Sequence, residues 1–213
     1  MSEPDRRHAL LVTALPNPES VTGEMVRALA AGLSADGQTK VTVHDLISTG
    51  FNPVFGPADH QRYRSSGSDG KVAVPDDVQA EQKLIESADT VVLAFPVQWW
   101  SMPAVLKGWI DRVFIRGWAY GVADQGECPV RGLHFVAMAA FGQEPFERRG
   151  YRQAMEKQWL EGLADYISIA DSGVHNLYES ESTDPAVHAK IVHQAREIGV
   201  TIAQSPADRP ATT

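Results

Sequence analysis

The stretch TVVLAFPVQWWSMPAVLKGWIDRVF, residues 90 to 114, decides how the rest of the chain is read. Thr90 to Phe95 is almost continuously apolar, as a strand covered on both faces must be. Pro96 has no amide hydrogen and is expected to end the hydrogen-bonded ladder. Pro103 suits the first turn of a helix, where a free amide would lack a partner in any case. From there Val105, Leu106, Trp109, Ile110, Val113 and Phe114 recur at helical spacing, an apolar stripe able to lie on a sheet. Trp109 belongs to that stripe and is expected in the core. Val97, Gln98, Trp99 and Trp100 fall between strand and helix, where backbone groups meet a planar heterocycle edge-on and the indoles offer stacking surface.

The same alternation runs outward from this unit. Residues 8–15 (HALLVTAL) read as a first strand, 20–34 as a helix, and 40–46 (KVTVHDL) as a second strand. Gly50 to Pro75, rich in Gly, Pro, Ser and charge, reads as a long surface excursion. A helix over 76–87 precedes the central strand. Beyond it come a fourth strand over 133–141, a helix over 151–164, a fifth strand near 173–177 and a last helix over 185–204. The expected fold is α/β, a three-layer sandwich on a five-stranded parallel sheet of order 2-1-3-4-5. Residues 1–205 read as one domain and 206–213 as a disordered tail. In such a sheet ligands bind beyond the carboxyl ends of the strands at the switch point, here between the first and third strands.

Bulk composition narrows the partners. Twenty-seven acidic against nineteen basic residues give a net charge of −8, a poor field for nucleic acid. A single cysteine, Cys128, excludes an internal disulfide framework and fits a reducing compartment. The N-terminal residues lack a secretory pattern and are too short an apolar run to insert in a membrane, so a cytoplasmic protein is expected. The histidines show no metal-ligand spacing, so no metal is expected.

Three loops meet at the switch point. Leu15 to Thr22 (LPNPESVT) enters a helix whose free amides favour an anion, with Ser20 and Thr22 as hydroxyl donors; an ordinary capped turn is the alternative. It carries neither a Walker-type lysine loop nor a dinucleotide glycine fingerprint. The third loop, Ala139 to Tyr151 (AAFGQEPFERRGY), brings Gly142 and the cluster Arg148, Arg149 and Arg152, either a solvated helix start or an attractor for an anionic cofactor. Tyr120 and Tyr151 are hydrogen-bond donors to a substrate or ring oxygen, or packing residues.

The run AEQKLIESADTVVLAFPVQWWSMPAVLKGWIDRVF, residues 80 to 114, resembles the flavodoxin-like NAD(P)H:quinone oxidoreductases, the DT-diaphorase group with its modulator-of-drug-activity and potassium-efflux ancillary relatives. LVTALPNPES from Leu11, HDLISTGFNPV from His44 and WAYG from Trp118 extend the likeness over roughly the first 125 residues. The resemblance implies a tightly bound FAD or FMN, NADPH or NADH as hydride donor, a homodimer with active sites at the interface, and two-electron, ping-pong reduction of quinones or similar acceptors. It assigns Ser20, Val21 and Thr22 to the flavin phosphate side, and Pro96, Val97, Gln98, Trp99, Phe141 and Gly142 to the ring. Trp100 faces the substrate, Tyr120 reaches across the dimer as a catalytic and substrate-binding group, and Tyr151 stands in for the family's active-site tyrosine. Two departures touch the cofactor: Leu15 where the family carries histidine, and AAFG where it carries a TTGG-like run. An azo, nitro or flavin reductase, or a flavin-binding carrier module, are the alternative functions on the same fold.

Overall fold

Five parallel strands, β1 (Arg7–Thr13), β2 (Thr39–Asp45), β3 (Thr90–Pro96), β4 (Gly132–Met138) and β5 (Asp171–Leu177), form one sheet of order β2-β1-β3-β4-β5, as the sequence predicts. The computed structural model describes residues 6–65, 72–121 and 128–205, so the expected tail at 206–213 lies outside the described residues. Helices α1 (Val21–Leu33) and α7 (Pro185–Gln204) cover one face; α3 (Asp76–Glu86), α4 (Ala104–Val113), α6 (Tyr151–Glu156) and a π-helical segment (Lys157–Asp165) cover the other. Alternation along each strand feeds both cores: Val91, Leu93 and Phe95 point to the α3/α4 side, Val92 and Ala94 to the α1/α7 side. Trp109 is fully buried.

Two helices on the same face approach at backbone distance. A Cβ on Gly32 would lie 2.1 Å from the Arg196 carbonyl oxygen, and one on Gly199 2.4 Å from that of Leu29. Only hydrogen side chains allow α1 and α7 to cross there.

Pro96 does not end the ladder. It sits in register with Met138, and the Val97 amide donates to the Met138 carbonyl at 2.9 Å. Amides alternate in direction along a strand, so the missing donor of Pro96 falls on the β1 side, where pairing already stops at Ala94. The fourth strand ends at Met138, three residues earlier than expected, because the chain beyond it bonds only toward β5: Ala139 donates to Leu177 and accepts from Ser180. The helix expected over 151–164 is preceded by α5 (Gln143–Arg148), with left-handed Gly150 between α5 and α6, and its second half is π-helical around buried Trp159.

The polar excursion contains a helix, α2 (Pro57–Ser65), that periodicity could not reveal. Asp59 is its one buried residue, so α2 has no apolar stripe. Its anchor is Arg112 of α4. The guanidinium donates through Nε to both Asp59 oxygens at 3.1 Å, through Nη1 to the Asn52 carbonyl at 2.7 Å and to Asp77, and lies 5.4 Å from the Phe51 ring centroid. The Arg112 hydrogen bond holds the Asp77 carboxyl below its ordinary range.

His134 on β4 and His175 on β5 share the α7 side of the sheet, with ring centroids 5.6 Å apart. Burial, reinforced by His134, depresses His175 to about 4; burial depresses His134 as well, partly offset by Asp171, whose Oδ1 lies 3.4 Å from Nε2. A histidine with a folded pKa below its unfolded value favours the fold only while neutral, so stability present above about pH 6.5 drains as pH falls toward 4. The urea midpoint is therefore expected to fall between pH 7 and pH 5, and His175→Gln to flatten that slope. An equally steep slope in the variant would refute this account.

Candidate functional site

The crevice at the carboxyl end of the sheet is built around a strained turn. Gln98 and Ser101 form an antiparallel bridge, exchanging amide-to-carbonyl hydrogen bonds at 2.9 and 3.0 Å, which closes a two-residue hairpin. Its two central residues are Trp99 and Trp100, with φ of 47° and 60°. A hairpin with both central residues left-handed is the type I′ turn, normally filled by Asn-Gly. An L residue in that conformation costs about 1–2 kcal/mol, and here two bulky indoles stand in succession.

The two indoles part company. Trp99 is 92% exposed. Trp100 turns inward and stacks on Tyr151, with ring centroids 3.5 Å apart and planes within 10°, while Phe141 and Phe146 flank it at 5.7 and 6.2 Å. Val97, Trp99, Trp100, Ala139, Ala140, Phe141 and Phe146 line an apolar cavity of about 160 Å³ at the turn. The β3 and β4 loops thus come together, and Tyr151 props the wall through Trp100. The Tyr151 hydroxyl makes no hydrogen bond among the described residues. Gly142 caps α5 at φ −67°, and a Cβ there would meet nothing closer than 3.9 Å, so the fold itself does not require glycine at that position.

The first loop lies beside this cavity without lining it. Ser20 is the N-cap of α1: its Oγ accepts from the Gly23 amide at 3.3 Å and donates to the Asn17 carbonyl at 2.7 Å. The amides of Val21 and Thr22, in the first turn, have no intrahelical acceptor and stand at the positive end of the α1 dipole. Three residues that sequence reading passes over fix this loop. Thr13 Oγ1 donates to the Ala94 carbonyl at 2.8 Å across the switch point. The Asp45 carboxylate accepts from the Leu15 amide at 2.9 Å. Arg27, one helical turn beyond Gly23, donates to the Pro18 carbonyl at 2.8 Å and brings a cation to the loop. Its one sequence signal is that i+4 spacing from the cap region. Leu15, at the position where the resembling family has histidine, packs its side chain against the α1/α7 core.

Two of the three arginines of the third loop are neutralised by acids, and Arg149 makes no ion pair among the described residues. Arg148 pairs with Glu144, and Arg152 with Glu147 and Glu156, which matches the solvated-helix alternative. Tyr120 is not brought to the cavity of its own chain. It packs 5.6 Å from Tyr166, in the segment returning to the start of β5. Its neighbour Trp118 donates to Glu86, the last residue of α3 before β3 begins. Both contacts put Tyr120 at the amino end of the sheet, opposite the crevice.

Among the described residues no helix is long and apolar enough to cross a membrane. A family model described as a flavodoxin-like fold matches residues 7–199. The uncharacterized NAD(P)H oxidoreductase YcaK of Escherichia coli strain K12 is 30% identical over 193 residues, 88% of this chain and 94% of its own length. The ribosyldihydronicotinamide dehydrogenase (quinone) of Mus musculus is 34% identical over 133 residues, a match spanning about half of each protein, 54%. The solved structure of an NAD(P)H:quinone oxidoreductase from Methanothermobacter marburgensis superposes with a TM-score of 0.84 at 24% identity, over 92% of this chain and 96% of that one, a likeness of fold.

Proposed function

Because the chain belongs to the family of flavodoxin-like fold matched over residues 7–199, we propose that it is a flavin-dependent NAD(P)H oxidoreductase acting on quinones or similar aromatic acceptors. The oxidoreductase class is supported by the relative named an NAD(P)H oxidoreductase, matched over 94% of its length, and the quinone by the mouse relative. The observation that carries the flavin is the hairpin. A fold gains nothing from a 92% exposed indole in a left-handed turn, and pays strain for it, unless a planar group covers that indole.

The residues fit such a group. The Val21 and Thr22 amides with the Thr22 hydroxyl would hold the phosphate of FMN or FAD, at a helix end suited to an anion, while Ser20, its hydroxyl proton given to Asn17, shapes the turn beside them. Pro96, Val97, Gln98, Trp99, Phe141 and Gly142 would border the ring. The chemistry this cofactor supplies when bound is hydride acceptance from NADH or NADPH and hydride donation to the acceptor. The protein's own part is to bind, orient and exclude water. With the Val97 and Gln98 amides already given to Met138 and Ser101, the Trp99 amide is the one that would offset negative charge at the ring edge, and Trp100, held flat by Tyr151, would form the wall against which donor and acceptor lie in turn. One cavity used successively gives ping-pong kinetics. The Tyr151 hydroxyl, without a partner among the described residues, would donate a hydrogen bond to the acceptor. Tyr120 serves the site only across a homodimer, which we include in the proposal together with a cytoplasmic location.

The test is the visible spectrum of the purified protein, and turnover of NADPH and NADH with menadione after addition of FMN or FAD. A colourless protein that binds neither flavin would refute the proposal. Trp99→Gly separates site from fold. Glycine relieves the left-handed strain, so the unfolding midpoint is expected to hold or rise, by about 1 kcal/mol at most. Flavin retention or turnover is expected to fall by about tenfold, the loss of one ring contact worth roughly 1.4 kcal/mol. Unchanged flavin binding and unchanged turnover in this variant would remove the hairpin from the site.

A further inference from the structure

The last two strands bring together a pair of imidazoles that the crevice does not use. His134 of β4 stands directly beside Gly173 of β5, and His175 follows two residues on, on the same face of the sheet. A Cβ on Gly173 would lie 3.2 Å from His134 Nδ1 and 3.4 Å from His175 Nε2. Each ring therefore presents a nitrogen foremost to the space that a glycine leaves open. Both nitrogens are buried, and neither has a hydrogen-bond partner among the described residues. The histidines of the other strands are matched: His8 meets the Ser87 carbonyl and the Thr42 hydroxyl, and His44 meets Glu81.

The surroundings of the pair suit a metal ligand. Asp171 Oδ1, fixed by a hydrogen bond from Ser205 Oγ at 2.8 Å, lies 3.4 Å from His134 Nε2. A carboxylate on that side keeps the ring proton on Nε2 and leaves the Nδ1 lone pair facing Gly173, the arrangement by which carboxylates orient metal-binding histidines. Burial keeps both rings neutral at pH 7, as a ligand must be. Their centroids are 5.6 Å apart. Two imidazoles sharing one zinc ion at about 2.1 Å, at a near-tetrahedral angle, have centroids roughly 5–5.5 Å apart. An ion can reach the pair from solvent, because β5 is an edge strand on which Asp171, Gly173 and His175 are only half-buried.

We propose that His134 Nδ1 and His175 Nε2, meeting over Gly173, bind a divalent transition-metal ion such as zinc, with Asp171 as the residue that positions His134. Imidazole suits zinc, copper and nickel, whereas magnesium and calcium take oxygen ligands. Among the described residues no three histidine, cysteine or carboxylate side chains converge on one point, so water takes the remaining positions and the site is an open one. The bound ion cross-links β4 to β5, away from the crevice at the carboxyl end of the sheet. Spacing along the chain conceals the pair because its members come one from each of two strands.

Calorimetric titration of the chelator-treated full chain with zinc chloride tests it. One site in the micromolar range is expected, and the thermal midpoint should climb with added zinc but not with magnesium. Gly173→Ala is the sharpest variant, since it sets a methyl group against both nitrogens and leaves the histidines in place. Its zinc affinity should fall by at least the 10- to 100-fold, roughly, that a lost supporting contact costs, at a metal-free midpoint close to wild type. His175→Gln should remove the site, and Asp171→Asn should weaken it by about 10- to 100-fold at unchanged stoichiometry. No zinc binding by the wild-type chain, an equal midpoint shift with magnesium, or wild-type zinc affinity in Gly173→Ala and His175→Gln would each overturn the proposal. Unchanged affinity in Asp171→Asn would overturn the role given to that carboxylate. None of these readouts involves flavin or turnover, so this inference and the oxidoreductase reading fail separately.

Discussion

Arg112→Leu is expected to destabilise the chain by about 3–5 kcal/mol, a large share of the roughly 5–15 kcal/mol that holds a domain together. The Arg112 and Asp59 side chains are 6% and 5% exposed, so removing the cation leaves a buried carboxylate without its counter-charge. The loss is not confined to one pair, because Arg112 also binds the Asn52 carbonyl, Asp77 of α3 and the face of Phe51. Urea denaturation should show the shift in midpoint, and hydrogen exchange should show α2 losing protection first, since Asp59 is its one buried residue. Replacing both partners, Arg112→Leu with Asp59→Leu, should recover much of the loss, as removal of the whole pair leaves no orphaned charge. A single variant within about 1 kcal/mol of wild type would show that α2 is held some other way.

Gly23→Ala is expected to spare the fold and abolish most of the flavin-dependent activity. A Cβ at this position would lie 1.9 Å from the Pro18 carbonyl oxygen and 2.7 Å from its carbon, so the loop over Pro16 to Glu19 must move by more than an ångström. The cap suffers with it, because the Gly23 amide is the one that Ser20 Oγ accepts. That cap contributes about 1 kcal/mol, a modest fraction of total stability. A displacement of this size at a group that positions a cofactor costs on the order of 10²-fold in turnover. Titration with FMN and FAD should show weaker binding, and excess flavin should restore part of the rate. A variant that binds flavin like wild type would mean that the phosphate is not seated at α1, and the assignment of Ser20, Val21 and Thr22 would fall.

These two positions lie on opposite sides of what the amino-acid sequence makes legible. Strands β1, β3 and β4 and the helices α1, α3, α4 and α7 are readable from periodicity, because each buries apolar side chains in a core, whereas the edge strands β2 and β5 are mostly half-buried and carry a weaker signal, and the order follows from the parallel crossovers. Helix α2 is not readable in this way, since a single buried aspartate holds it and a salt bridge has no period. The end of β4 is hidden for a related reason: Ala139 to Phe141 is as apolar as the strand before it, and only the loss of a β3 partner ends the ladder.

For the candidate site the division is similar. The clustering of tryptophans after the central strand is visible in the chain itself, and the topology dictates that they reach the switch point. That Trp99 faces out while Trp100 lies flat on Tyr151 follows from a two-residue left-handed turn and from a partner 51 positions away, neither of which side-chain type foretells. Local sequence determined which segments are strands, which are helices, and at which end of the sheet the loops gather, because burial writes its pattern into neighbouring residues. Tertiary structure alone decided that Arg112 ties α2 to α3 and α4, that Tyr120 sits far from its own crevice, and that His134 and His175 meet over Gly173. Contacts between charges and rings distant in the chain are fixed by how packed layers meet, and no local periodicity records them.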